Sequence, residues 1–159
     1  MKTIVIGVGN LHRGDDAVGL VVASRLAAKL VRGEPLPARI VEASGEGASL
    51  IDAWQGYERA ILIDAVRPGS ALGPPGSIYR IDVHSTELPS GLFHYSTHAF
   101  SVAEAVEMAR VLGLLPGVML VWGVVGQSFA PGSGLSGAVE SAAERLTADL
   151  ITMLDSEPQ

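Results

Sequence analysis

Hydrophobic positions along the chain fall into two kinds of segment, short continuous runs and longer runs with helical spacing. The continuous runs are rich in valine, isoleucine and leucine, which is typical of strands buried on both faces. They are Thr3–Gly7, Arg59–Val66 and Val118–Val125. In two longer segments, Asp16–Arg32 and Ser136–Leu154, apolar residues recur every three or four positions and predict amphipathic helices. This alternation of strands with helices predicts a doubly wound α/β sandwich.

Weaker patterns complete this prediction. Ala38–Glu42 and Ser77–Asp82 have the length of strands, and the second alternates apolar with polar residues as an edge strand does. Gly47–Trp54 follows a turn-like sequence and predicts a short helix. A further helix is expected from a Ser96-Thr97 cap to Leu112, after a loop over residues 83–95.

Length and composition narrow the possible classes of protein. A chain of 159 residues fits one domain, which we expect to span residues 1–159 and to act as a monomer. Hydrophobic residues make up 48% of the chain, so it can bury a core. A net charge of −6 and a scarcity of aromatic residues argue against nucleic acid as a partner.

The sequence also limits the chemistry and the location. It contains no cysteine, which excludes thiolate nucleophiles and leaves only nitrogen and oxygen as ligands for a metal. The longest apolar stretch, Gly117–Gly126, is about half of the roughly 20 residues that a membrane-spanning helix needs. The apolar run at the N-terminus is too short for a signal peptide. We therefore expect a cytoplasmic protein with no membrane partner.

Three potential metal ligands fall where this fold binds its ligands, outside the carboxyl ends of the strands. Asp16 follows the loop after the first strand, and Asp64 interrupts the apolar run ILIDAV of the third strand. His98 lies just past the expected Ser96-Thr97 cap. Two carboxylates and one imidazole at a single edge form a ligand set suited to Zn²⁺, Ni²⁺ or a similar cation.

Each of these residues also has a purely structural interpretation. Asp15 or Asp16 can cap a helix and complement its dipole. Because adjacent residues point in different directions, one of them can cap while the other faces the crevice. Asp64 can be a turn former, and His98 can be a solvated histidine or one at the edge of the core. These alternatives stay open on the residues alone.

A second pair of histidines suggests a different metal site. His94 and His98 have the spacing of the two zinc-binding histidines of zincins, which lie on one helix. However, Tyr95 stands where a zincin has its catalytic Glu, and the expected Ser96-Thr97 cap places the helix start between the two histidines. We therefore assign His94 to the loop.

Two glycine motifs suggest other functions. Gly7-Val8-Gly9 begins like a dinucleotide-binding fingerprint, but His12 stands where the third glycine belongs. Glu42, at the end of the second strand, is an acidic residue that such a fold can aim at a ribose. A nucleotide-binding module without catalytic activity is therefore the alternative function. The segment Gly126–Ala130 imitates the nucleophile elbow of serine hydrolases, but Pro131-Gly132 follows where a helix should begin.

Three motifs in order give the chain a family resemblance. GVGNLHRGDDAVG near the N-terminus, ILIDAV in the middle and STHAFSVAEAVEMARVLG further on together resemble the hydrogenase maturation endopeptidases. The resemblance covers nearly the whole chain. It implies a three-layer α/β/α sandwich with a mostly parallel five-stranded sheet and one antiparallel strand, which we assign to Ser77–Asp82. It also implies that Asp16, Asp64 and His98 are the catalytic, metal-engaging residues.

The same resemblance implies a substrate and a mechanism. Members of this family remove the C-terminal extension of a [NiFe]-hydrogenase large-subunit precursor after nickel insertion. The metal is then nickel presented by the substrate, although Zn²⁺ or Cd²⁺ can occupy the same ligands. Such a metal can polarise the scissile carbonyl or activate water, which removes the need for a nucleophile on the enzyme. The chain has Glu42-Ala43-Ser44-Gly45 where the family usually has Asp-Gly-Gly-Thr, a departure that bears on substrate preference.

Overall fold

The computed structural model of the chain describes residues 1–33, 36–68, 73–88 and 101–156. Helices and strands alternate along these ranges, as the hydrophobic pattern predicts. The strands are β1 (Thr3–Val8), β2 (Ala38–Ala43), β3 (Arg59–Val66), β4 (Ile78–Asp82) and β5 (Val118–Val125). The helices are α1 (Val18–Val31), α2 (Gly47–Trp54), α3 (Val102–Leu112) and α4 (Gly137–Asp155), with a 3-10 turn at Gly14–Ala17 before α1.

The described strands form one five-stranded sheet in the order β2-β1-β3-β5-β4. β1 pairs in parallel with β2 and β3, and β3 pairs in parallel with β5. β4 runs antiparallel to β5 at one edge, which confirms the assignment of the antiparallel strand. β2 forms the other edge, and the carboxyl ends of β1, β2, β3 and β5 meet on one side of the sheet.

Helices cover both faces of the sheet, so the predicted three-layer α/β/α sandwich is confirmed. Side chains of β3 alternate between the two faces, Ala60 and Leu62 toward one core and Ile61 and Ile63 toward the other. The first core is completed by α2 and α3, and the second by α1 and α4. Burial on both faces explains why β1, β3 and β5 are continuous apolar runs.

Helix α1 lies unusually close to the sheet because glycines stand at the crossing. A Cβ added to Gly7 would lie 2.1 Å from the carbonyl oxygen of Gly19. A Cβ added to Gly19 would in turn lie 2.3 Å from the carbonyl oxygen of Ile63. This contact fixes the start of α1 directly over the carboxyl ends of β1 and β3.

The start of α3 was predicted wrongly. The helix begins at Val102, not at a Ser96-Thr97 cap, because Ser101 forms a complete capping box with Glu104. The Ser101 Oγ accepts a hydrogen bond from the Glu104 N–H at 3.2 Å, and the Glu104 carboxylate accepts one from the Ser101 N–H at 3.0 Å. His98 therefore precedes this helix in the sequence. Both His94 and His98 lie outside the described residues.

The remaining boundaries differ little from the prediction. The segment expected to begin α1 at Asp16 is the 3-10 turn, and α1 itself starts two residues later. None of the described helices is both long and apolar enough to cross a membrane.

Candidate functional site

Two buried carboxylates meet at the carboxyl ends of adjacent strands. Asp16 lies in the 3-10 turn after β1 and Asp64 lies inside β3, and each side chain is only 3% exposed. The Asp16 carboxylate accepts a hydrogen bond from the Asn10 N–H at 2.9 Å. The Asp64 carboxylate accepts one from the Ala65 N–H at 2.8 Å. Main-chain donors therefore orient both side chains, as a preformed site requires.

The two carboxylates interact electrostatically. Burial raises the pKa of Asp64 well above its ordinary value, and the nearby charge of Asp16 raises it further. The hydrogen bond from the Ala65 N–H opposes these two effects in part. A bound cation would offset the repulsion between the carboxylates, so the arrangement favours a positively charged ligand.

The third predicted ligand, His98, cannot be compared with this pair because it lies outside the described residues. In the part of the chain that the structure describes, no three His, Asp or Glu side chains form a group that could hold a metal ion. Asp16 and Asp64 nevertheless supply two oxygen donors of the kind that the sequence predicts for a divalent cation. The structure thus brings together two of the three predicted residues.

Asp15 has a role that the sequence did not reveal. Its side chain is fully buried and accepts hydrogen bonds from the N–H groups of Gln127, Ser128 and Ser136, at 2.7, 3.0 and 2.7 Å. The Ser136 hydroxyl donates a fourth at 2.9 Å. Asp15 therefore ties the loop between β5 and α4 to the turn that carries Asp16. The side chains of Asp15 and Asp16 have different partners, and neither caps α1.

The glycine-rich loop after β1 does not have the contacts of a phosphate site. A Cβ added to Gly9 would lie 1.9 Å from the carbonyl oxygen of Asp16, so this glycine is required by protein packing. The Asn10 N–H, the next along the loop, already donates to the Asp16 carboxylate. Because two buried acidic side chains stand where a pyrophosphate would bind, the geometry argues against the nucleotide-binding alternative.

The serine motif after β5 also lacks the required geometry. Ser128 is exposed and lies in a loop that continues to the start of α4 at Gly137. A nucleophile elbow needs a helix immediately after the serine, because the sharp strand-to-helix turn is what presents the hydroxyl. The carbonyl oxygen of Ser128 instead accepts a hydrogen bond from the Asp15 N–H at 2.9 Å. Ser128 therefore belongs to the support of the acidic turn.

Comparison with known proteins assigns this architecture to a family. The family model for hydrogenase maturation protease matches residues 22–153. A hydrogenase 2 maturation protease of Escherichia coli strain K12 is 27% identical over 146 residues, which cover 91% of this chain and 85% of that protein.

Two solved structures share the fold. The hydrogenase maturating endopeptidase HybD from Escherichia coli has a TM-score of 0.75 at 21% identity, covering 98% of this chain and 93% of that one. An endopeptidase from Escherichia coli, solved in solution, has a TM-score of 0.78 at 24% identity, covering 97% and 92%. At these identities the two structures establish the likeness of fold, and the family model establishes the membership. The chain therefore belongs to the hydrogenase maturation protease family.

Proposed function

We propose that the chain is an endopeptidase that removes the C-terminal extension of a [NiFe]-hydrogenase large-subunit precursor after nickel insertion. Membership of the maturation protease family supports the reaction class and the kind of substrate. The observation that carries the proposal is the burial of Asp16 beside Asp64 at the carboxyl edge of the sheet. Burial and the charge of Asp16 disfavour an ionised Asp64, and a cation between the two carboxylates would offset that repulsion.

In this proposal Asp16, Asp64 and His98 engage nickel that the precursor already holds. The metal is thus part of the substrate, and the carboxylates orient the precursor by its metal centre. The fit rests on the donor chemistry, since carboxylate and imidazole are ligands that a divalent first-row metal accepts. Nickel bound there supplies Lewis acidity at the scissile peptide or at a water molecule.

The residues of the chain contribute position and charge. The Asn10 and Ala65 N–H groups fix the orientation of the Asp16 and Asp64 carboxylates, and burial limits the access of competing water. Asp15 supports the 3-10 turn that carries Asp16, because its carboxylate accepts hydrogen bonds from the loop after β5. None of these roles requires a nucleophile on the enzyme, in agreement with the exposed position of Ser128.

Incubation of the purified chain with nickel-loaded and nickel-free precursors tests the proposal. Intact mass measurement should show loss of a C-terminal peptide from the nickel-loaded precursor only. Asp64→Asn should abolish this cleavage, whereas Asp149→Asn, which changes an exposed carboxylate on α4, should leave it intact. Equal cleavage of both precursors would reject recognition through the metal while leaving the peptidase activity in place.

A further inference from the structure

Among the described residues, strand β2 pairs only with β1, so its outer edge and the peptide groups along it can be identified. The Ala43 carbonyl oxygen accepts a hydrogen bond from the Gly9 N–H at 3.0 Å, so the peptide groups of Ala43 point toward β1. Because peptide groups alternate in direction along a strand, those of Ala38, Ile40 and Glu42 point away from the sheet. They make no backbone hydrogen bond to any described residue. The edge therefore presents alternate N–H and C=O groups, the pattern that an extended peptide matches.

Grooves flank this edge on both faces of the sheet. On the α2 side a groove of about 530 Å³ runs along the β2 side chains Arg39 and Val41. On the α1 side a groove of about 280 Å³ lies between Glu42 and the outer surface of α1, including Leu20. Successive side chains of an added strand would point alternately into these two grooves, which is how strand addition combines backbone pairing with side-chain selection.

The carboxyl end of β2 also lies near the crevice that contains Asp16 and Asp64, here called the acidic site. A third hollow, of about 250 Å³, lies at the carboxyl end of β2 and is lined in part by Gly9, Glu42 and Ser44. Gly9 packs against the carbonyl oxygen of Asp16, and the next residue, Asn10, donates to the Asp16 carboxylate. A strand added to β2 would therefore run toward the crevice that contains Asp16 and Asp64.

Arg25 lines the α1-side groove, and its side chain is 35% exposed. The Nη2 atom of Arg25 pairs with the Glu140 carboxylate, and the Nη1 atom is buried without a hydrogen-bond partner in the described part of the chain. The Nη1 atom is closed to the groove, but the exposed part of the guanidinium can donate to an oxygen acceptor on a bound segment. Because Glu140 already pairs with Arg25 and Glu42 lines the same groove, this donor points to an uncharged acceptor such as an amide side chain in the bound segment.

We propose that the β2 edge binds an extended segment of the precursor polypeptide as a sixth strand, with an acceptor side chain directed at Arg25. This inference rests on the proposed function, because a peptidase substrate supplies both an extended segment and a bond to be placed in the crevice. The strand and its two grooves hold the segment, while the acidic site engages the metal. Substrate selection is thereby divided between peptide and metal.

Amide hydrogen exchange, read residue by residue by NMR, tests the proposal directly. In the free chain the N–H groups of Arg39 and Val41 should exchange slowly, because they bond to β1, and those of Ile40 and Glu42 should exchange quickly. Excess nickel-loaded precursor should slow exchange at Ile40 and Glu42 by at least tenfold. Unchanged exchange at both positions would overturn the proposal. Protection that develops on concentrating the chain alone would overturn it as well, by assigning the edge to a second copy.

A matched pair of variants isolates the edge N–H group. Glu42→Pro and Glu42→Ala both remove an exposed side chain, but only proline removes the outward N–H, and proline is tolerated at such an edge position. KM for the precursor should be roughly 3–10-fold higher for the proline variant than for the alanine variant, with similar kcat and similar melting temperatures. Equal KM values would overturn the proposal.

Cleavage is followed in the same samples, so the two proposals fail separately. Cleavage without protection of the Ile40 and Glu42 N–H groups would reject the added strand and support the proposed peptidase activity. Protection of these N–H groups without cleavage would support the added strand and reject the proposed reaction.

Discussion

Asp16 and Asp64 are buried side by side, and the charge of Asp16 helps to raise the pKa of Asp64. This relationship disfavours an ionised Asp64 in the folded chain, because its carboxylate loses water on burial and is repelled by that of Asp16. A site that costs stability is typical of functional positions. A substitution that removes the buried charge should therefore raise the stability of the fold while it lowers the activity.

Asp64→Asn should stabilise the chain and inactivate it. The amide keeps the shape and can still accept from the Ala65 N–H, but it carries no charge to desolvate. At neutral pH and without metal we expect a gain on the order of 1 kcal/mol or more, which raises the melting temperature by about 2–4 °C in a domain of this size. Thermal unfolding measures this gain, with Asp149→Asn as the exposed control. A lower melting temperature for Asp64→Asn would show that the carboxylate is structural.

The difference in stability between Asp64→Asn and wild type should depend on pH. The pKa of Asp64 is raised in the folded chain by burial and by Asp16, so the folded state holds its proton more tightly than the unfolded state does. The stabilising contribution of this group is therefore fully present below the unfolded pKa, near roughly 4, and is lost as the pH rises through the folded pKa. The advantage of Asp64→Asn over wild type should grow with pH across that window and then level off. A difference that shrinks as pH rises would contradict the shift.

Replacing Asp15 should have the opposite effect on stability. Asp15→Ala leaves the N–H groups of Gln127, Ser128 and Ser136 without their acceptor in a poorly hydrated place. At about 1–3 kcal/mol for each unsatisfied group, we expect a loss of about 3–5 kcal/mol after partial access of water. Chemical denaturation measures this loss. Asp15→Asn should recover only part of it, because the amide presents an N–H₂ group to N–H donors. A denaturation curve for Asp15→Ala that matches that of wild type would show that Asp15 does not support the turn.

The hydrophobic pattern predicted most of the fold because that information is local. Gly47–Trp54, Arg59–Val66 and Val118–Val125 have the bounds that the sequence predicts, since each is an unbroken apolar or amphipathic segment between turn residues. The start of α3 was missed although its signal is also local. Ser101 and Glu104 have capping-box spacing, and this reciprocal pair is the signal that marks the helix start.

The candidate site was predictable only in part, because its support is not local. The meeting of Asp16 with Asp64 followed from the general rule that parallel strands end at one edge. The partners of Asp15 lie 112 to 121 residues further along the chain, so no window of sequence reveals them. That β2 is an edge strand among the described strands depends likewise on the strand order, which is not local. The role of His98 remains a prediction.

Gly9 tests how the turn that carries Asp16 is positioned. Gly9→Ala would place a Cβ 1.9 Å from the Asp16 carbonyl oxygen, and the glycine φ of 155° is one that other residues rarely adopt. The turn must shift, so we expect a loss of about 2–4 kcal/mol and a large drop in cleavage. Gly134→Ala is the matched control, because nothing lies within 4 Å of its added Cβ. Similar unfolding curves for both variants would show that the turn accommodates the added Cβ without loss of stability.

Metal binding to the chain alone tests the complete predicted ligand set. Cd²⁺ or Zn²⁺ titrated into the purified chain should bind through Asp16, Asp64 and His98, because these supply the oxygen and nitrogen donors that such ions accept. Calorimetry should show at least a tenfold weaker affinity for Asp16→Asn, Asp64→Asn and His98→Ala. His94→Ala is the control for a zincin-like pair and should bind as wild type does. Loss of binding in His94→Ala together with normal binding in Asp64→Asn would move the metal site away from the acidic crevice.

Metal binding should also weaken on acidification, because metal ligands must be deprotonated. The pKa of Asp64 is raised by burial and by Asp16, so its carboxylate should contribute to this loss at a higher pH than an exposed aspartate would.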